Sequence, residues 1–133
     1  MFSHITLGTT DLSAAASFYD AVLHPLGLYQ RPVAPDGGPQ AKCWIQDGKA
    51  LPRFYAYEPY DGRSATPGNG VMIAFCAPSA EAVTLSHAAA IVAGGQDCGR
   101  PGPRSKYGEG YFGAYFFDLD GNKIHITFRG DLF

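Results

Sequence analysis

Residues 71–95 read VMIAFCAPSAEAVTLSHAAAIVAGG, and residues 3–27 read SHITLGTTDLSAAASFYDAVLHPLG. In the later stretch Val71 to Ala77 has the apolar, β-branched character of a strand. Ser79 then stands as an N-cap, Glu81 suits the first turn, and an Ala-rich run from Ala80 to Ala93 predicts a helix that Gly94-Gly95 closes. The earlier stretch has the same plan. His4 to Thr9 predicts a strand and Asp11 an N-cap. Leu12, Ala15, Ala16, Tyr19, Val22 and Leu23 recur at helical spacing until Pro25 and Gly27 stop them. A shift of 68 residues lays strand on strand, helix on helix and Gly95 on Gly27. It is a repeat of pattern more than of letters.

Working outward, each start is followed by strands. Arg31 to Gln40 is rich in Pro and Gly and predicts a loop. Ala41 to Gln46 and Leu51 to Tyr57 predict two strands around an Asp47-Gly48 hairpin signal. A second loop spans Glu58 to Gly70 and a third Gly99 to Gly110. Tyr111 to Leu119 and Lys123 to Arg129 predict a final pair joined through Asp120-Gly121-Asn122. Each half is too small to bury a core alone, so the halves should pack side by side with a groove between them. Alternation sorts the strand faces. Ile5 and Leu7, then Val71, Ile73 and Phe75, then Ile124, Ile126 and Phe128 form oily sets expected under the helices. The opposite sets contain His4, Thr6 and Gly8, then Met72, Ala74 and Cys76, then Lys123, His125 and Thr127. They are expected to line a sheet face of small and polar residues that holds a small molecule.

Composition narrows the function classes. The chain has 133 residues, 46% hydrophobic and 17% charged, with a net charge of −2. That is the size of one modest domain, and it offers no basic field for nucleic acid or anionic lipid. No apolar run approaches the roughly 20 residues of a membrane span. Met1-Phe2-Ser3-His4 lacks the charged and apolar regions of an export signal. Cys43, Cys76 and Cys98 are odd in number, scattered, and without a C-x-x-C. The expectation is reduced thiols in a cytoplasmic protein.

Three motifs in order carry a family resemblance: His4-x6-Asp11-Leu12-x5-Phe18-Tyr19 with Leu26-Gly27, then Val71 to Phe75, then Asp118-Leu119-Asp120-Gly121-Asn122-Lys123-Ile124. Together they resemble the glyoxalase/bleomycin-resistance/dioxygenase (vicinal oxygen chelate) family along essentially the whole chain. The resemblance implies an α+β fold in which two βαβββ modules, about 1–60 and 70–133 within one domain 1–133, form an open, cupped mixed β-sheet barrel. It also implies a homodimer that completes a small-molecule site. Metal-bearing members place one ligand on each of four strands. Carried over, these fall on His4, near Phe54, on Met72 and on His125. The two imidazoles suit a divalent metal such as Zn, Ni, Fe or Mn. Met72 is a poor donor and Phe54 none, so two of the four positions are lost. Glu58 would share Phe54's face and is a weak substitute third ligand.

Other signals lead elsewhere. Gly108-Glu109-Gly110-Tyr111-Phe112-Gly113 spells a dinucleotide fingerprint but opens a strand, not a helix. Its glycines suit a lip over the pocket, with Tyr107 and Tyr111 at the mouth; the competing reading is ordinary sheet packing. Asp118-x-Asp120-Gly121 has the wrong spacing for a calcium loop and suits a tight hairpin. Cys76 faces the presumed pocket as a nucleophile beside His125, or is inert. Arg104, Lys106, Arg53 and Arg63 either meet an anionic substrate or are simply solvated.

Three functions follow. One is a metal-assisted lyase, isomerase or dioxygenase acting on a carbonyl or glutathione-conjugated compound. The second is a metal-free protein of the bleomycin-resistance kind that sequesters an aromatic ligand lying on Phe54, Met72, Tyr107 and Tyr111 and quenching Trp44. The third is a metal-free enzyme with His4 or His125 as acid or base.

Overall fold

The computed structural model describes all 133 residues. The first module runs β1 (His4–Gly8), α1 (Leu12–Leu23), a 3-10 turn (His24–Leu26), β2 (Leu28–Arg31), β3 (Ala41–Gln46) and β4 (Arg53–Tyr57). The second runs β5 (Met72–Cys76), α2 (Ala80–Val92), β6 (Gln96–Pro103), a 3-10 turn (Ser105–Tyr107), β7 (Tyr111–Phe117) and β8 (Lys123–Arg129). The helix starts are those the caps announce. Asp11 Oδ1 accepts from the Ala14 N–H at 3.0 Å, and Ser79 Oγ accepts from the Ala82 N–H at 3.1 Å. Gly27 ends the first helical segment at φ 79°, a left-handed conformation open to glycine.

Two separate four-stranded sheets result, ordered β1-β4-β3-β2 and β5-β8-β7-β6. In each, the first and last strands of the module pair parallel and the rest antiparallel. This is the expected α+β fold of two βαβββ modules. The 68-residue shift carries the starts of β1, α1 and β2 onto those of β5, α2 and β6. From β3 onward the shift is 70 residues.

Two strands depart from the sequence reading. Arg31 closes β2 and is not loop, and Gly99 to Pro103, assigned to the third loop, belongs to β6. Both are outer edge strands, where proline and glycine are tolerated because one side of the ladder is free. The pairing of β6 shifts register around Gly99 and Gly102.

The oily sets meet in one core. It contains Leu7, Phe18, Tyr19, Val22, Trp44 and Phe54 from the first module and Ile73, Val83, Ala90, Phe116, Ile124 and Ile126 from the second. Phe18 of α1 lies 6.0 Å from Phe116 of β7, and Phe54 of β4 lies 5.1 Å from Phe75 of β5, centroid to centroid. Each such buried side chain contributes on the order of 2 kcal/mol. The helices also touch: Ser86 Oγ donates to the Val22 carbonyl at 2.8 Å. Val71, read as part of an oily set, lies exposed ahead of β5. No helix is long and apolar enough to cross a membrane.

The turn between β7 and β8 does more than reverse the chain. The buried Asp118 carboxylate accepts from the backbone N–H groups of Asp120 (3.0 Å) and Asn122 (2.8 Å), from Asn122 Nδ2 (3.0 Å), and from the Tyr19 hydroxyl (2.5 Å). Tyr19 belongs to the other module. Two further bonds cross the same way: the Thr10 N–H donates to Asp120 Oδ1 (2.9 Å), and Asn122 Nδ2 donates to the Gly8 carbonyl (3.3 Å). The sequence motif read as a hairpin is therefore also a clasp between modules. Burial first, then the Asp118 charge, holds the Tyr19 phenol well above its ordinary pKa, so it remains a donor.

Tyr19→Phe removes a bond to a buried carboxylate and should destabilise the protein by about 1.5–3 kcal/mol, with Asp118→Ala costing more because it strands several donors. Urea unfolding measures both. A loss near zero for Tyr19→Phe would show that the clasp does not hold the modules together.

Candidate functional site

Strand register shows which side chains share the sheet faces opposite the core. In the first module His4, Thr6 and Gly8 stand beside Arg53, Tyr55 and Tyr57. In the second Met72, Ala74 and Cys76 stand beside Lys123, His125 and Thr127, and these stand beside Phe117, Tyr115 and Gly113, with Tyr111 opposite Arg129. These faces hold small residues at Thr6, Gly8, Ala74, Cys76, Gly113 and Thr127, and tyrosines and cations stand among them.

His125 is the best-defined group. It is only 2% exposed. Its Nδ1 lies 2.9 Å from the Ala114 carbonyl oxygen, which can only accept, so Nδ1 carries the proton. Nε2 is then a lone pair, and the Tyr111 hydroxyl donates to it at 2.8 Å. The ring is stacked on Tyr115 at 4.0 Å between centroids and lies nearly parallel to Tyr111 at 5.9 Å. Burial lowers its pKa; the bond to Ala114 opposes this, and the nearby charges of Arg104 and Lys123 reinforce it. At neutral pH the imidazole is uncharged, in one tautomer, with both nitrogens engaged. Gly113 makes room for it: a Cβ there would lie 2.5 Å from His125 Cε1.

The other sequence candidates are placed as follows. His4 is exposed, near Ser3 Oγ (3.1 Å from Nδ1) and edge-on to Tyr55 at 5.6 Å. Glu58 follows the last residue of β4, yet it lines the same open groove as His4, a space of about 440 Å³ that also touches Tyr57 and Tyr60. Met72 is 42% exposed and borders an apolar cleft of about 510 Å³ beside Phe2, Ile5 and Phe75. Tyr107 lies 5.3 Å from Tyr111, ring centroid to ring centroid, and Tyr111 in turn contacts His125.

Phe54 pairs with Ile5, is 3% exposed and packs on Tyr19 and Trp44, and it also lines the apolar cleft that Met72 borders. The outward position belongs to Tyr55. The strand starts at Arg53, after the Leu51-Pro52 segment, and the unpaired stretch from Asp47 hides the register from sequence. Trp44 is likewise core, its Nε1–H donating to Asp20 at 2.9 Å, so it cannot touch a ligand on this face. Sequence reasoning missed Tyr115, which alternation along Tyr111-x-Gly113-x-Tyr115 would have found.

The four metal-ligand positions of the resemblance thus hold His4, Tyr55, Met72 and His125. One is a thioether, and the imidazole of His125 has no free nitrogen. No three His, Cys, Asp or Glu side chains gather closely enough to hold an ion. These residues do not fit a divalent metal.

No family model matches the chain, and no curated protein matches its sequence. Solved structures do. A glyoxalase/bleomycin resistance protein from Albidiferax ferrireducens is 36% identical, with a TM-score of 0.82 over 97% of this chain and 98% of that one. The chain belongs to the glyoxalase/bleomycin-resistance family. Two more distant structures share the fold. A glyoxalase-related enzyme from Fulvimarina pelagi is 23% identical (TM-score 0.69, 97% of this chain and 88% of that one). A mutant fosfomycin resistance protein from Listeria monocytogenes, complexed with Mn(II) and dihydroxypropylphosphonic acid, is 21% identical (TM-score 0.67, 96% and 91%).

Within this family member, His125 provides a direct check. Its folded pKa lies below its unfolded value of about 6.5. The unfolded chain therefore binds the proton first, and the stability tied to neutral His125 is full above about pH 6.5 and lost as pH falls through the folded value. His125→Gln should flatten that part of the stability–pH curve. Gly113→Ala should tilt the imidazole off Tyr111 and shift its carbon-bound proton resonances. An unchanged imidazole spectrum in Gly113→Ala would mean that the ring has more room than the geometry gives it.

Proposed function

We propose that this member of the glyoxalase/bleomycin-resistance family is a metal-free small-molecule-binding protein that sequesters its ligand on the aromatic sheet faces. The observation that carries the reading is the engagement of both His125 nitrogens, by the Ala114 carbonyl and the Tyr111 hydroxyl. A metal would have to break the Tyr111 bond and then find its remaining ligands among a thioether, a phenol and the exposed His4. A lyase, isomerase or dioxygenase of the metal-assisted kind needs three protein ligands and an open position. Tyr107, Tyr111 and Tyr115 instead offer flat, amphipathic surface at small entropic cost.

The working unit we propose is a homodimer. Its support is that β1 and β5 lie at sheet edges, open to pairing or packing with a second copy. A second copy would bring the His4 face of one protomer to the His125 face of the other. The three cysteines form no disulfide, which suits a cytoplasmic setting.

Metal stoichiometry tests the central claim. Protein reconstituted with Fe(II), Ni(II), Mn(II) and Zn(II) should retain far less than a stoichiometric ion, and the His4→Ala, His125→Ala double variant should behave alike. One ion per chain in the wild type and none in the double variant would overturn the metal-free reading. Light scattering tests the assembly: a monomer mass at micromolar concentration would remove the dimer.

A further inference from the structure

We propose that the second module's face selects planar aromatic anions, the ring meeting the tyrosine cluster and the negative group meeting Lys123 and Arg104. The proposal rests on the small-molecule-binding reading and names its ligand class.

The first observation is the distribution of cations. Lys123 Nζ lies 5.4 Å and Arg104 Cζ 5.8 Å from the Tyr115 ring centroid, and Arg129 Cζ lies 5.0 Å from that of Tyr111. The chain has more acids than bases, 12 against 10, so counter-charges are available. Yet its ion pairs are Arg63 with Asp61, His87 with Asp97 and Arg129 with Asp131. Arg129 is matched at 2.7 Å, whereas Lys123 and Arg104 have no acid within 4.0 Å. Two uncompensated cations thus flank one aromatic cluster.

The second observation is that Arg104 is held in place. Its Nη1 donates to the Gly102 carbonyl at 3.0 Å and its Nη2 to the Arg100 carbonyl at 2.7 Å. A guanidinium tied to backbone gives up little freedom when an anion arrives. The third is that His125 stays neutral, so the site's positive charge sits on fixed cations and does not vanish between pH 7 and 8. A cationic aromatic would meet like charge here. A neutral one would stack equally well but gain nothing from Lys123 or Arg104.

The test uses three probes with one ring system: naphthoate, naphthalenemethanol and naphthylmethylammonium, titrated calorimetrically into the full-length protein, with amide shifts of β7 and β8 locating the site. Naphthoate should bind about tenfold or more tighter than the alcohol, about 1.4 kcal/mol, and the ammonium weakest. Lys123→Ala and Arg104→Ala should each shrink the anion preference several-fold and leave the alcohol unchanged, while Lys49→Ala, on the β3–β4 loop, changes nothing. If the alcohol or ammonium binds as tightly as naphthoate, or if naphthoate perturbs other strands, the anion assignment is wrong and the binding reading survives. If none of the three binds, both readings fall for aromatic ligands. The wild-type comparison stands even if a variant folds poorly.

Discussion

The Asp118 carboxylate is the constraint on which the arrangement of the two modules depends. A buried charge is tolerated only when donors surround it, and here four do, one from the other module. The turn that presents Asp118 also reaches Thr10 and Gly8, so the β7–β8 turn is fastened to the β1–α1 junction at two points and to α1 at Tyr19. The hydrophobic core alone would not choose so sharply. The clasp is one-sided: the β3–β4 connection of the first module holds Asp47 and Gly48 but no matching Asp-x-Asp-Gly-Asn. That asymmetry gives a pseudo-symmetric pattern one packing.

With the modules fixed, the opposite sheet faces are fixed too. On the second module the Ala114 carbonyl sets the tautomer of His125, the tautomer aims its lone pair at Tyr111, and Gly113 leaves space for the ring. These are backbone and small-residue devices, and they convert a residue type associated with metal binding into the hub of an aromatic cluster. Neutral His125 suits that cluster because it is stacked, buried and flanked by cations; a charged imidazole there would face both desolvation and repulsion.

Much of the fold was legible because its signals are local. Asp11 and Ser79 announce the helices, alternation announces β1, β5 and β8, and the shift between halves announces the repeat. The edge strands β2 and β6 were not, because Gly99 and Pro101 read as loop unless one knows that a free edge tolerates them. The register of β4 was lost by one residue, which exchanged Phe54 for Tyr55 and moved a site position to the core. The clasp was half visible: the turn could be read from Asp-x-Asp-Gly, but its bond to Tyr19 joins residues 99 positions apart. The cluster of His125 with Tyr111 and Tyr107 joins residues that the sequence reading names separately. The state of His125 was not legible, since it depends on a carbonyl that no side-chain pattern reports.

The matched positions of the two modules show how the site differs from a metal centre. Register places His4 beside Thr6 and Tyr55's strand in one sheet where Met72 and His125's strand stand in the other. His4 corresponds to Met72, and Tyr55 corresponds to His125. Each module thus has one imidazole and one non-ligand, with the imidazole on the first strand in one case and on the last in the other. Each imidazole also has an aromatic neighbour, Tyr55 edge-on at 5.6 Å and Tyr115 stacked at 4.0 Å. Losing a ligand from a metal site leaves the remaining donors unsatisfied unless something else takes them up. Here the Tyr111 hydroxyl takes up Nε2 of His125, and Ser3 Oγ stands 3.1 Å from Nδ1 of the exposed His4. The positions at which the resemblance would place an ion thus hold a tyrosine and a methionine beside the two imidazoles, on an unchanged fold.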